Sequence, residues 1–194
     1  MEELRFDGGR VCLDLIATRT GRPVVERLDS PDRLAAWLYG TGLVPAGTPV
    51  SAEPHWLTGF LDLRALLDDV VTGQLAGAAP APEAVRRLNE TARPAPPAPR
   101  AVPGPDGALV RGLAAAPEPQ GLLAAVARDA VEMLTDPVAR TQLRRCEGEN
   151  CTLVYLDTSR GRRRRWCSSE VCGNRERVAR HRRRSSSPVA NQAR

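Results

Sequence analysis

The sequence predicts a mainly α-helical (α+β) fold. A helical N-terminal domain with a small β-hairpin spans residues 1–139, a hairpin-and-helix module spans 140–184, and a disordered tail spans 185–194. Three observations predict this. Apolar residues recur at helical spacing in separate stretches before residue 136, and a Pro/Gly-rich break interrupts them at 93–107. Charge also changes sign along the chain: residues 1–139 hold 13 Arg against 18 Asp and Glu, whereas 140–194 hold 15 Arg against 5. An acidic body with a basic end points to a polyanionic partner.

Asp7-Gly8-Gly9 is a turn signal, and Val11, Leu13 and Leu15 alternate with Cys12 and Asp14, so residues 11–15 are expected as a half-buried strand; a helical turn over 11–17 competes. Ser30-Pro31-Asp32 combines an N-cap, an N1 proline and an acidic first turn. The helix it opens points Leu34, Trp37 and Leu38 inward and stops near Gly40 or Gly42. Ser51-Ala52-Glu53-Pro54 starts a longer one, with Trp56, Phe60, Leu63, Leu67 and Val70 on one face and an end near Gly73. Arg64 and Asp68, four apart, read as a surface ion pair. Residues 83–91 allow a short helix, and Pro105-Asp106-Gly107 is a turn joining hairpin strands at 100–103 and 108–113. Leu122, Val126, Ala130 and Met133 with Leu134 mark a further helix that closes before Asp136-Pro137.

Cys12 stands alone among apolar residues and reads as a small core residue. Cys146, Cys151, Cys167 and Cys172 form C-x4-C-x15-C-x4-C, two thiol pairs around a hairpin-sized segment, as a tetrahedral four-cysteine Zn2+ site requires. Two disulfides are the competing reading; a chain without a secretory leader is expected in the reducing cytoplasm, which disfavours them. Residues five apart on a helix lie about 140° apart, so Cys167 should precede a helix, Ser168 or Ser169 should cap it, and Cys172 should sit in its first turn. Between the pairs, 153–156 reads as a strand, 158–161 as a turn and 163–166 as the return strand. Knuckle, hairpin and ligand-bearing helix make a treble-clef-like or zinc-ribbon-like module that needs its one structural zinc to fold.

Arg145-Cys146, Leu156-Asp157-Thr158-Ser159-Arg160, Arg164-Arg165-Trp166-Cys167-Ser168 and Cys172-Gly173-Asn174-Arg175 resemble the CGNR zinc-finger family. In that family the finger follows a helical ABATE domain, whose opening resembles residues 13–18 and 34–38 here. The family pattern usually has Asn where this chain has Ala17. The resemblance implies a bacterial, stress-linked transcription regulator that binds nucleic acid.

All 28 basic residues are Arg, as a G+C-rich genome would produce, so their positions carry information and their chemical type does not. On a helical wheel of 169–184, Arg175 falls on the side of Val171, Cys172 and Val178 and is expected to be buried, paired with Asp157 or a carbonyl, while Asn174 fixes the loop. Arg177, Arg180 and Arg184 face outward with Arg183 at the boundary. Together with Arg162, Arg163, Arg164 and Arg165 at the hairpin tip they are the expected contacts to a nucleic-acid backbone, DNA in preference to RNA. The competing reading is a solvated charge run. No set of Asn, Gln and Arg stands out as a reader of base edges, so the expectation is either backbone-dominated binding or specificity from the geometry of a homodimer.

Other function classes fare worse. Aromatic residues are 4% of the chain, too few for a single-strand stacking platform, and no apolar run could span a membrane. The only histidines are His55 and His181, and no H-E-x-x-H, phosphate-binding Gly loop or G-x-S-x-G occurs, so no enzyme is expected. The alternative to nucleic-acid binding is a sensor or protein-interaction protein in which the finger is purely structural. Its small-molecule ligand would then lie in the N-terminal domain beside Trp37, Trp56 and Phe60.

Overall fold

The computed structural model describes residues 3–185. The expected tail therefore falls outside the described residues, apart from Ser185, which ends the last helix.

Residues 11–15 form no strand. They lie in a short helix, α1 (Val11–Ile16), with Cys12, Leu13, Asp14, Leu15 and Ile16 all buried. The alternation that suggested one wet face fails because Cys12 and Asp14 are enclosed too. Asp14 Oδ1 accepts the Gly8 N–H at 2.9 Å, and Asp129 Oδ2 accepts the Cys12 N–H at 2.9 Å. The cap of this helix thus comes from a residue 117 positions away. A small antiparallel hairpin follows, β1 (Arg19–Thr20) with β2 (Val25–Glu26).

Helix α2 (Pro31–Gly40) begins where its cap signal stands: Ser30 Oγ accepts the Arg33 N–H, and Leu34, Trp37 and Leu38 are fully buried. Helix α3 (Pro54–Leu75) buries Trp56, Phe60, Leu63, Leu67 and Val70 as the spacing predicts, with Leu66 and Val71 widening the stripe. Trp37 meets Phe60 edge-on at 5.8 Å between ring centres and donates its indole N–H to Asp14 O. Both aromatic residues belong to the buried core.

Arg64, on the same helix, is not in a surface pair with Asp68. It is 8% exposed and forms a two-toothed ion pair with Glu26 (2.7 and 2.6 Å), while Nη1 also donates to Thr18 Oγ1 at 2.8 Å. A bidentate carboxylate on a neighbouring hairpin outcompetes a solvated one on the same helix.

Helix α4 (Pro82–Ala92) buries only Leu88. The strands β3 (Pro99–Pro103) and β4 (Leu109–Leu113) pair across the expected turn, with Pro103 opposite Leu109. Helix α5 (Pro119–Thr135) buries Leu122, Val126, Ala130 and Met133 and packs on α1, α3 and α4, so α1 lies at the centre of the core. Asp136 then caps α6 (Pro137–Gln142) by accepting the Val138 N–H at 2.8 Å.

The chain continues into β5 (Leu143–Arg145), β6 (Val154–Leu156) and α7 (Cys172–Ser185). Here the expected hairpin is corrected. β6 pairs antiparallel with β5, from before the cysteine knuckle, and residues 163–166 form no strand. Main-chain bonds tie this part to the N-terminal helices: Leu156 N–H to Gly8 O (2.9 Å), and Asp157 N–H to Gln142 O (2.8 Å). Gly21 N–H also reaches Thr152 Oγ1 at 3.1 Å. Ala17 is packed with Cys146, Leu153, Tyr155, Cys167 and Cys172 in one apolar cluster, so the position where the family usually has Asn lies at this junction.

Candidate metal centre

The β5–β6 hairpin closes a knuckle around the first two cysteines. Cys146 N–H donates to Leu153 O and Cys151 N–H to Gly148 O. Gly148 permits this approach: a Cβ there would lie 3.3 Å from Cys151 Cβ and 3.4 Å from Cys172 Sγ. The other two ligands flank a capped turn. Ser168 Oγ accepts the Glu170 and Val171 N–H groups, and Cys172 is the first residue of α7, as the five-residue spacing requires.

Four sulfur atoms converge within 4.8 Å of one another. Cys151 Sγ and Cys167 Sγ are 3.8 Å apart, and Cys167 Sγ and Cys172 Sγ 3.5 Å. A tetrahedral zinc with Zn–S near 2.3 Å needs sulfurs about 3.8 Å apart, so the donor set fits the ion. Cys146 Sγ accepts N–H groups from Cys167 (3.3 Å) and Gly148 (3.5 Å), the bonds that orient and stabilise a metal-bound thiolate. In the metal-free set, hydrogen bonds from Cys151 and Cys167 pull Cys146 well below the usual thiol range, and donating to Cys146 pushes those two up. Only a cation lets all four ionise together. None of the five cysteines is in a disulfide, and Cys12 lies apart in the core, where burial pushes its thiol well above the ordinary value.

Two flanking contacts were not legible in the sequence. Arg5, held by Asp7, donates to Cys167 Sγ at 3.2 Å from 162 residues away, placing a cation beside a dianionic four-thiolate site. Buried Tyr155 donates its hydroxyl to Arg164 O, and the Arg164 guanidinium stacks 4.6 Å over the Tyr155 ring. Asp157 is fully buried; it accepts the Ser159 N–H and hydroxyl on Oδ1 and the Arg164 N–H on Oδ2. These bonds, Ser159 foremost, hold its carboxyl below the usual range. Side-chain grips of this kind keep 157–164 in place without a strand ladder.

Asp157 therefore does not pair with Arg175, and Arg175 is exposed. The wheel expectation fails because burial along α7 is confined to Cys172 and Gly173, with Glu176 and Ala179 half-buried, while Val178 is 42% exposed. Asn174 is exposed as well. Among the basic residues, Arg164 donates to Trp166 O, Arg165 pairs with Glu147 at 2.6 Å and lies over the Trp166 ring, and Arg183 pairs with Glu176. Arg177 reaches back to Ser169 O. The side chains of Arg162, Arg163 and Arg180 are exposed and make no hydrogen bond or ion pair among the described residues; the Arg184 side chain lies outside the description.

The ABATE family model, described as a putative stress-induced transcription regulator, matches residues 9–137, about two thirds of the chain. The chain belongs to the ABATE family. A second model, the CGNR zinc finger, matches residues 142–185 and takes in all four cysteines. Neither family is one of enzymes. Among curated proteins, none matches the chain. This ABATE protein thus carries a CGNR finger whose zinc is structural: four thiolates leave no open coordination position for chemistry.

Proposed function

We propose that this ABATE protein is a cytoplasmic transcription regulator whose finger contacts nucleic acid, DNA in preference to RNA. One observation carries the reading. The hairpin tip and the start of α7 meet at Trp166: Arg165 lies over its ring, the ring also approaches Gly173, and Arg177 reaches back to Ser169 O. Arg162 and Arg163 at the tip and Arg177 and Arg180 on the helix are all exposed on the two elements that meet there. Arg183 lies further along the same helix, paired with Glu176, while Arg164 holds Trp166 O and Arg165 holds Glu147. The zinc supplies the cross-link that keeps these two elements together.

The free guanidinium groups suit phosphates and no base-reading set accompanies them, so binding is backbone-dominated and salt-sensitive. The acidic N-terminal helices repel phosphate and confine contact to the finger. No helix among the described residues is long and apolar enough to cross a membrane. Fluorescence anisotropy of the zinc-loaded full chain on random-sequence DNA and RNA duplexes tests the reading. Binding to DNA stronger than to RNA supports it, and binding to neither removes it.

A further inference from the structure

Where the N-terminal segment, the β1–β2 turn and the finger meet, the surface folds into a cleft of about 770 Å3. That volume lies within the range of small-molecule sites, roughly 300–1,000 Å3. Its apolar lining comes from Leu4, Phe6, Val25 and Val171, that is, from three separate segments. Phe6 is 41% exposed, with the far edge of its ring packed over Gly40 of α2.

The polar groups divide by what they already bind. Arg5 is taken by Asp7 and Cys167, and Arg27 by Thr20. Arg22, from the N-terminal part, and Arg175, from the first turn of α7, also line the cleft; both are exposed, and their side chains make no hydrogen bond or ion pair among the described residues. Against these four arginines stand Asp7, neutralised by Arg5, and the exposed Glu3 and Glu170. A mainly polar cleft that holds an apolar patch and two uncommitted guanidinium groups from different parts of the chain is complementary to an anion with a hydrocarbon body.

We propose that this cleft binds a small organic carboxylate, its charged group held by Arg22 and Arg175 and its body laid on Leu4, Phe6, Val25 and Val171. The site gives Arg175 of the finger motif a task that its exposure denies it as a core residue. An occupant touches both the β1–β2 turn and α7, so it couples the N-terminal part to the finger, and any effect on a partner of the finger is matched by that partner's effect on the carboxylate.

The test uses the zinc-loaded full chain with octanoate and benzoate as probes, followed by titration calorimetry and thermal melting. Octanol and benzyl alcohol supply the body without the charge, and inorganic phosphate the charge without the body. At least one carboxylate should bind and raise the melting temperature, with the matching alcohol and phosphate much weaker. Arg22→Gln and Arg175→Gln should each weaken it about tenfold, the loss of one charge-assisted hydrogen bond, with zinc content unchanged. The proposal is overturned if neither carboxylate binds, if the alcohols bind equally well, or if both variants bind like the parent. None of these readouts involves nucleic acid, so the two readings stand or fall separately.

Discussion

Replacing Arg64 by Leu should unfold this protein far more easily than loss of a surface charge would. The guanidinium gives up two short bonds to Glu26 and one to Thr18 Oγ1. Removing one partner of a fully buried pair costs about 3–5 kcal/mol. Here the Glu26 side chain is 39% exposed and can rehydrate, and the Thr18 hydroxyl keeps its bond to Leu15 O at 2.7 Å. The loss should therefore be lower, about 2–3 kcal/mol, or about 5–10 °C in melting temperature for a chain of this length. Urea denaturation of the zinc-saturated protein, followed by circular dichroism, measures it. A double-mutant cycle with Glu26→Gln should return an interaction energy above about 1 kcal/mol, beyond the usual value of an exposed pair. Burial works against the Glu26 carboxylate, but the Arg64 and main-chain hydrogen bonds outweigh it and hold its pKa below 4.5. The pair's contribution is then present above that pH and lost as pH falls through the lowered value. The reasoning is refuted if Arg64→Leu costs less than about 0.5 kcal/mol, or if Asp68→Asn costs as much as Glu26→Gln.

Arg5→Gln should release zinc to a chelator about tenfold faster, because a cation beside Cys167 Sγ is lost while the four ligands remain; an unchanged rate would show that Arg5 does not help hold the metal. Asp14 gives a pH dependence: burial raises its carboxyl to about 7, against the Gly8 N–H bond, with Asp7 and Asp129 adding to the rise. The folded protein therefore holds a proton that the unfolded chain has lost, and stability should fall as pH rises from about 4 to about 7 and level off above that. Asp14→Asn, which keeps an acceptor for Gly8, should flatten that slope; parallel curves for the two proteins would contradict the assignment.

The helices were legible where their signals are local. Ser30-Pro31 caps its own helix, and the spacing from Trp56 to Val70 needs only the 3.6-residue period. The four zinc ligands were legible for a related reason: thiols at a fixed spacing have few competing uses in one short segment. What escaped depends on partners distant in sequence. Helix α1 is capped by Asp129, Arg64 chose Glu26 over its own helical neighbour, and β6 pairs with the strand preceding the knuckle. The wheel for α7 failed at Arg175 because a wheel gives the relative directions of side chains but not how far along its length the helix is covered; burial fades after the first two turns. The cleft was invisible in the sequence because its walls come from segments more than a hundred residues apart.

The most direct test of the central claim is the salt dependence of DNA binding by the zinc-loaded full chain. Each phosphate neutralised adds about −0.9 to the log–log slope on duplex DNA. Replacing Arg162, Arg163 and Arg180 together by Ala should flatten the slope by about 2–3 units and leave the zinc in place. A slope unchanged by the triple substitution, or no salt-sensitive binding by the parent protein to any duplex or single strand, would contradict the account.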